Sequence, residues 1–276
     1  MSINACQVER IARGDVVLHV FTSPEVGEMV NSLVIETTNV LVIVDVPLYQ
    51  PFADEFRAYL NGLGKPIERI LVTHAHPDHW LTLATFAEHA TYAFQEAIDE
   101  MAFLKDLAVG YHTSIHPDLV PHEVVLPAHT IEPGPLLVDG VSLVLHKVLD
   151  AEATATMLIE IPSIKALLAN DLVYDHCYLY VATRKADGSS TVDSWIAALQ
   201  DFKARGFELI VPGHGSPSGP EIFDDNTAYL TFAKDVLDTA RDGEELVRRF
   251  KVEYPDHRLD LTLTMSAIML FPPDAA

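Results

Sequence analysis

The segment Thr73-His74-Ala75-His76-Pro77-Asp78-His79-Trp80 packs three imidazoles and a carboxylate into six consecutive positions. Imidazole nitrogen and carboxylate oxygen are ligands that suit Zn, Fe or Mn. His74 and His76 are two apart, so on an extended strand end their side chains face the same way. Asp78 and His79 come from the turn that opens the next element, read as a helix over 79–89. The segment therefore offers two groups of ligands, enough to begin two adjacent metal sites. A histidine-rich surface turn is the plainer alternative. It is also the weaker one, because the cluster follows directly on the strand pattern of 67–73 (IERILVT).

The elements that must position these residues are legible as patterns. Residues 16–22, 30–38 and 40–46 are rich in β-branched side chains, with a hairpin turn at Thr38-Asn39. Residues 52–63 carry apolar positions at helical spacing and stop at Gly62 and Gly64. With the strand at 67–73 they make a β-α-β unit, whose ligand sites lie at the C-terminal ends of strands. A helix over 94–109 follows, then a His- and Pro-rich stretch read as an irregular loop or short edge strands. Residues 141–148, 155–161 and 164–170 resume the strand pattern. A helix over 192–204 leads to a strand at 207–212 that ends near His214. The tail over 221–270 is helical, broken near Gly243 and Pro255. No repeat, low-complexity tract or linker divides the chain, so the expectation is one domain over 1–276, with two similar halves and the 221–270 tail packed on it.

Composition narrows the function. The chain has 276 residues, 49% of them hydrophobic and 21% charged, which is the balance of a globular protein. Its formal charge of −22 repels phosphate backbones and anionic lipids, so neither nucleic acid nor a membrane is an expected partner. Cys6 and Cys177 form no CxxC pair or disulfide framework. The first residues show no secretory pattern, and no apolar run reaches the length of a membrane span. These features predict a soluble, cytoplasmic protein.

HAHPDH resembles the HxHxDH signature of the metallo-β-lactamase superfamily, and the likeness extends along nearly the whole chain. Asn170-Asp171 is similar to that family's late "GD" step, with Asn in place of Gly, and Pro212-Gly213-His214-Gly215 is similar to its PGHG motif. The resemblance implies an α/β fold, a four-layer αββα sandwich with metals at one edge between two sheets, here with a C-terminal helical extension. It implies that His74 and His76 bind a first metal, that Asp78, His79 and His214 bind a second, and that Asp171 bridges them. Asp45 resembles the carboxylate that orients a ligand from behind. Its plainer reading is a strand-end cap.

One ligand is missing. The family's GHTxG segment has no counterpart between 146 and 156, and no histidine stands where one is expected. Counting back from the strand MLIEIP puts Glu152 there, and a gap of two puts Asp150 there. Either carboxylate can ligate Zn or Fe. His146 is a third candidate, but it sits inside a strand pattern.

The implied cofactor is a pair of divalent metal ions, with Zn first and Fe or Mn as alternatives. The implied activity is that of a metal-dependent hydrolase whose metal-bridging hydroxide opens a lactone or cleaves a small ester or thioester. Asp78 would bind metal and orient the nucleophile. Tyr174, at the offset where lactonases of this superfamily carry a tyrosine, would contact the substrate's carbonyl or leaving group. Its plainer reading is a core aromatic. An iron-dependent redox centre and a non-catalytic metal-binding protein are the competing readings. The partner is a small, fairly apolar substrate, in a pocket that Trp80, Phe103, Leu104, Tyr111, Tyr178 and Tyr180 can wall. His112, His116, His122 and His129 are read as exposed loop residues rather than a lid or a weak metal site, and His257 as a surface turn residue. The tail's apolar stripe either covers the active-site edge or forms a homodimer interface.

Overall fold

Alternation along the strands sorts side chains between two different environments. Leu33, Ile35, Val42 and Val44 point to one face of their sheet, and Val34 and Ile43 to the other. In the computed structural model, which describes residues 5–272, these faces belong to a seven-stranded sheet. The sequence-based unit over 1–276 runs beyond the described residues at both ends.

The first sheet contains β1 (Gln7–Arg13), β2 (Val16–Thr22), β3 (Asn31–Glu36), β4 (Leu41–Val44), β5 (Ile67–Leu71), β6 (Thr91–Ala93) and β7 (His129–Thr130), in that spatial order. The pairs from β1 to β4 are antiparallel, and those from β4 to β7 are parallel. The second sheet has the order β12-β11-β10-β9-β8, from β8 (Gly134–Val138), β9 (Val141–Leu149), β10 (Ala155–Ile161), β11 (Ala166–Tyr174) and β12 (Leu209–His214). Its pairs are antiparallel except β11 with β12.

Three apolar clusters stack the layers. The inner one joins Leu33, Val42 and Leu71 of the first sheet to Leu145, Ile159 and Leu168 of the second. The outer face of the first sheet packs on α1 (Gln50–Leu63) and α2 (Gln95–Ile115), through Phe52, Phe56 and Met101. The outer face of the second packs on α3 (Val192–Ala204), α4 (Ile222–Thr239), α5 (Gly243–Glu253) and α6 (Asp260–Leu270), through Trp195, Leu230, Phe250 and Leu263. The result is an αββα sandwich whose C-terminal helices share a core with β11 and α3. No helix among the described residues is long and apolar enough to cross a membrane.

Several elements differ from the sequence expectation. The segment 79–89 is not a helix; it follows a short 3-10 turn, Pro77–His79, and holds another, Leu83–Phe86. Its apolar residues Trp80, Leu81 and Leu83 are fully buried, so packing from several sides replaces the one-sided helical pattern. The helix α1 runs through Gly62 and ends only at Gly64, whose φ of 68° suits a left-handed cap. The strands β1, β6 and β8 escape the pattern because they are largely exposed or very short.

Candidate metal centre

Strand ends of both sheets deliver the site residues to one edge of the sandwich. Asp45 follows β4, and His74 to His79 follow β5. Asp171 lies in β11, and His214 ends β12. Glu152 sits at the tip of the β9–β10 hairpin, where Asp150 N–H donates to the Thr154 carbonyl at 3.0 Å. This tip is buried rather than solvated: Ala151, Glu152 and Ala153 are each 1% exposed. Two links tie the sheets together here. Met157 N–H donates to the Thr73 carbonyl at 2.8 Å. Asn31 Nδ2 donates to the carbonyls of Pro212 and Gly215 at 2.9 and 2.8 Å, holding the loop that carries His214.

The backbone bends where it presents Asp171. The β11–β12 register shifts on both sides of Asn170, as at a bulge that redirects a side chain. Asn170 has φ 43°, a conformation that Gly or Asn adopts readily, which explains Asn in place of Gly before Asp171. Gly213 faces Asp171 across the strand pair, and a Cβ there would lie 1.8 Å from Asp171 Oδ1. Gly213→Ala is therefore expected to displace the Asp171 carboxylate and lower metal occupancy, read by elemental analysis. Retention of the wild-type metal content would show that Asp171 tolerates the displacement.

Two groups of ligand atoms form. His74, His76, Glu152 and Asp171 present atoms within 4.8 Å of one another, and so do Asp78, His79 and His214. Asp171 touches both: Oδ1 lies 3.3 Å from His79 Nε2, and Oδ2 lies 3.2 Å from His214 Nε2 and 3.8 Å from His74 Nε2. Glu152 Oε1 lies 2.9 Å from His76 Nδ1, and Oε2 lies 3.6 Å from His74 Nε2. Asp150 is not in either group. The hairpin tip turns Glu152 toward the first group and leaves Asp150 at the turn with φ 53°.

The donor set fits divalent cations. His79 Nδ1 faces Asp45 Oδ2 at 2.8 Å, and His214 Nδ1 faces the Glu28 carbonyl at 2.7 Å. Both contacts fix the proton on Nδ1 and leave Nε2 as a lone pair. Thr73 Oγ1 donates to Asp45 Oδ2 at 2.8 Å and can then accept from His74 Nδ1 at 2.9 Å, with the same result for His74. Four buried atoms of the groups have no hydrogen-bond partner among the described residues: His74 Nε2, His79 Nε2, Glu152 Oε2 and Asp171 Oδ1. Orphaned buried donors and acceptors are costly, and these converge on shared space, as ligands for an ion do.

Without an ion the groups hold protons among themselves. Burial opposes the charged form of His79, but Asp78, Asp171 and Asp45 outweigh it and hold its pKa well above the usual value. His76 and His214 are raised to about 9: burial resists, and Glu152 and Asp171 respectively prevail. Burial pushes Glu152 up to about 7, against the pull of His76. The raised histidines contribute stability that is complete below their unfolded pKa near 6.5 and lost as pH rises through about 9. The raised Glu152 acts in the same direction between 4.5 and about 7. Melting temperatures of chelator-treated protein are therefore expected to fall steadily as pH rises from 6.5 to 9. The metal-loaded form, whose imidazoles must be neutral to ligate, lacks this slope. A flat profile for the stripped protein would contradict the charge assignment.

Tyr174 stands against the centre. Its hydroxyl donates to Asp171 Oδ2 at 2.6 Å, and its ring stacks on His214 at 4.7 Å. Burial, then Asp171 and Glu152, hold its pKa well above 10, so the hydroxyl keeps its proton. Asn226 fixes its backbone from α4, accepting from Tyr174 N–H and donating to its carbonyl, both at 2.9 Å.

The other candidates disperse. Trp80 is fully buried, with Nε1 donating to the Ala75 carbonyl at 2.9 Å, and belongs to the core. Phe103 is exposed on α2, while Tyr178 is buried and donates to the Tyr254 carbonyl. Leu104 and Tyr111 are half-buried on α2. Tyr180 is the one that reaches the centre, its ring 5.3 Å from that of His76. His146 pairs with Glu160 at 2.7 Å, away from both groups. His112 is not a loop residue; it lies buried in the last turn of α2, 3.0 Å from the Tyr49 hydroxyl. His116 packs against the Tyr49 ring, and His122 and His129 are exposed. His257 is half-buried, stacked on Tyr229, rather than at the surface.

Glu28 is a residue that sequence patterning gave no reason to select. It lies in a left-handed turn at φ 63°, and burial followed by Asp78 raises its carboxyl to about 8.

Known proteins share this arrangement of layers. The crystal structure of the DIM-1 metallo-beta-lactamase superposes with a TM-score of 0.61 at 17% identity, covering 84% of this chain and 100% of that one. A metallo-beta-lactamase from Pontibacter korlensis gives 0.60 at 17% identity, over 82% and 99% of the two chains. FIM-1 from Pseudomonas aeruginosa, solved in a mono-zinc form, gives 0.61 at 16%, over 83% and 97%. At such identities the likeness concerns the fold alone. A stretch of 64 residues is 38% identical to the "Uncharacterized protein YobT" of Bacillus subtilis (strain 168), spanning 23% of this chain and 27% of that protein. The family model described as the metallo-beta-lactamase superfamily matches residues 26–214, more than half of the sequence and every residue of both ligand groups. The chain belongs to the metallo-beta-lactamase superfamily.

Proposed function

We propose that this protein is a metal-dependent hydrolase that opens a lactone or cleaves a small ester or thioester. The observation that carries the reading is the pair of ligand groups joined by Asp171, with the protonated Tyr174 hydroxyl resting on that same carboxylate. His74, His76 and Glu152 would hold one divalent cation, Asp78, His79 and His214 the other, and Asp171 both. Bound there, such a pair, with zinc the first expectation, supplies an acidified water and a Lewis acid for the scissile carbonyl. Asp45 keeps His79 in the tautomer that ligates, through its 2.8 Å contact with Nδ1. Asp78 would orient the attacking water and take up its proton. Tyr174 turns its hydroxyl hydrogen from Asp171 toward the substrate's carbonyl or leaving oxygen. His76, with a side chain 22% exposed, marks the side on which a substrate enters.

A second reading rests on Glu152. A carboxylate in place of a neutral imidazole makes the first group richer in oxygen, which favours Fe or Mn over Zn and admits redox chemistry on iron. One experiment separates the two. Protein stripped with chelator and reloaded with Zn, Mn or Fe(II) is assayed against lactone, ester and thioester panels. Hydrolysis restored by Zn or Mn, and lost in Asp78→Ala, supports the hydrolase. Absence of hydrolysis with every metal would overturn it, and iron found in protein as isolated would then favour the second reading.

A further inference from the structure

The chain that follows β11 is buried without regular structure. Cys177, Tyr178, Leu179, Val181 and Ala182 are buried, yet 177–183 form neither strand nor helix. Buried backbone groups need partners, and here side chains of the C-terminal helices supply them. The Tyr229 hydroxyl of α4 accepts from Leu179 N–H at 3.2 Å. From α6, Thr262 Oγ1 donates to the Tyr178 carbonyl at 2.6 Å, and Ser266 Oγ accepts from Val181 N–H at 3.0 Å. Tyr178, Leu179 and Val181 also share an apolar cluster with Leu263 and Ala267 of α6. Helices that come after the last candidate ligand, His214, therefore hold this segment in place.

The segment meets the first ligand group at two points. The Tyr180 ring lies edge-on to His76 at 5.3 Å. Thr183 Oγ1 donates to the Glu152 carbonyl at 2.5 Å. The second contact fills a gap that the β9–β10 hairpin leaves. Its last backbone bonds run from Asp150 N–H to the Thr154 carbonyl and from Ala151 N–H to the Ala153 carbonyl, so Glu152 stands alone at the apex. A peptide unit is rigid and planar, so an unheld unit at an apex turns as a whole. Such a turn after Glu152 would swing its carboxylate away from His76, whose Nδ1 lies 2.9 Å from Oε1.

Metal ligands are aimed by contacts from outside the group. His79 has Asp45 for this, and His214 has the Glu28 carbonyl. The Glu152 carboxylate faces only His74, His76 and Tyr174, all within the centre. Its hold from outside is the Thr183 contact with its carbonyl.

We propose that Thr183 is a positioning residue for the first cation. It fixes the peptide that carries Glu152, and α6 fixes the segment of Thr183 through Thr262 and Ser266. The C-terminal helices then take part in building the metal centre. This step rests on the two-cation assignment of the proposed function and is independent of the substrate.

The test titrates chelator-stripped proteins with Zn²⁺ against a chromophoric chelator and takes their melting temperatures without metal. Glu152→Ala identifies the binding step that belongs to the first group. Thr183→Val keeps the shape of the side chain and removes its hydroxyl. In it that step is expected to weaken about tenfold or more, with the other step unchanged. Thr183→Ser restores the hydroxyl and is expected to bind as the wild type does. Ser266→Ala is expected to weaken the same step. Wild-type affinity in Thr183→Val would overturn the proposal. Equal weakening of both steps, with a lower melting temperature of the stripped protein, would also overturn it, since general loosening acts on the whole fold. Wild-type affinity in Ser266→Ala would overturn the part given to α6. Zinc binding that Glu152→Ala leaves untouched would remove the ligand that Thr183 is said to position. Zinc bound by none of the proteins, wild type included, would overturn the metal centre itself and this proposal with it.

Discussion

Glu152→Ala is expected to reduce bound metal from about two equivalents to about one, and to lower turnover by about 10²-fold or more. The side chain supplies one of the four donors of the first group, and both of its oxygens face histidines of that group. With it gone, His74 and His76 keep only Asp171 as a shared carboxylate, which leaves three protein donors for that ion. The control is Asp150→Ala, whose side chain belongs to neither group and whose metal content is expected to stay at the wild-type value. Elemental analysis beside activity reads both. Two equivalents in Glu152→Ala would mean that the carboxylate pairs with His76 without serving an ion, and the first group would have to be redrawn.

Asp171→Asn is expected to have the larger effect, with the loss of both metals and of turnover to below about 10⁻³ of the wild type. The change keeps shape and removes charge. Asp171 lies within 3.3 Å of Nε2 of His79 and of His214, and within 3.8 Å of Nε2 of His74, so three imidazoles lose their common counter-charge together. Burial alone would raise the Asp171 pKa, yet His79, His214 and His74 hold it well below the usual carboxylate value. The same histidines are thus left facing an amide that can also turn its NH₂ toward them. Circular dichroism separates this effect from unfolding, because the isosteric amide preserves the packing of β11. Near-normal metal content and turnover in Asp171→Asn would exclude a bridging role.

The two ligand groups differ in how far they can be seen in sequence. The donors from 74 to 79 are contiguous, and Asp171 and His214 each end an apolar run, so their types and order are legible without coordinates. Glu152 is legible only as one of two carboxylates, because a hairpin tip has no periodicity and its inward turn depends on burial of Ala151 and Ala153. Glu28 carries no local signal, because its place depends on a left-handed turn. The layers of the sandwich follow from strand alternation at Leu33, Val34 and Ile35. The segment after the cluster misleads, because Trp80, Leu81 and Leu83 satisfy a helical pattern while packing on all sides. Apolar spacing reports which residues are buried, and backbone conformation follows only when burial has one direction.

The candidate ligands are also unequally spread along the chain, which would shape how an ion and the fold meet. Four donors lie within residues 74–79, while Glu152, Asp171 and His214 arrive only when the second sheet has docked on the first. The hexapeptide would stay a local chelator in the denatured ensemble, so part of any affinity for metal would survive unfolding and be subtracted from the stabilisation that binding gives the native state. Order of addition then matters kinetically. A chain refolded before it is loaded meets the ion with both sheets in place, whereas an ion captured early is held by the wrong number of donors until it exchanges.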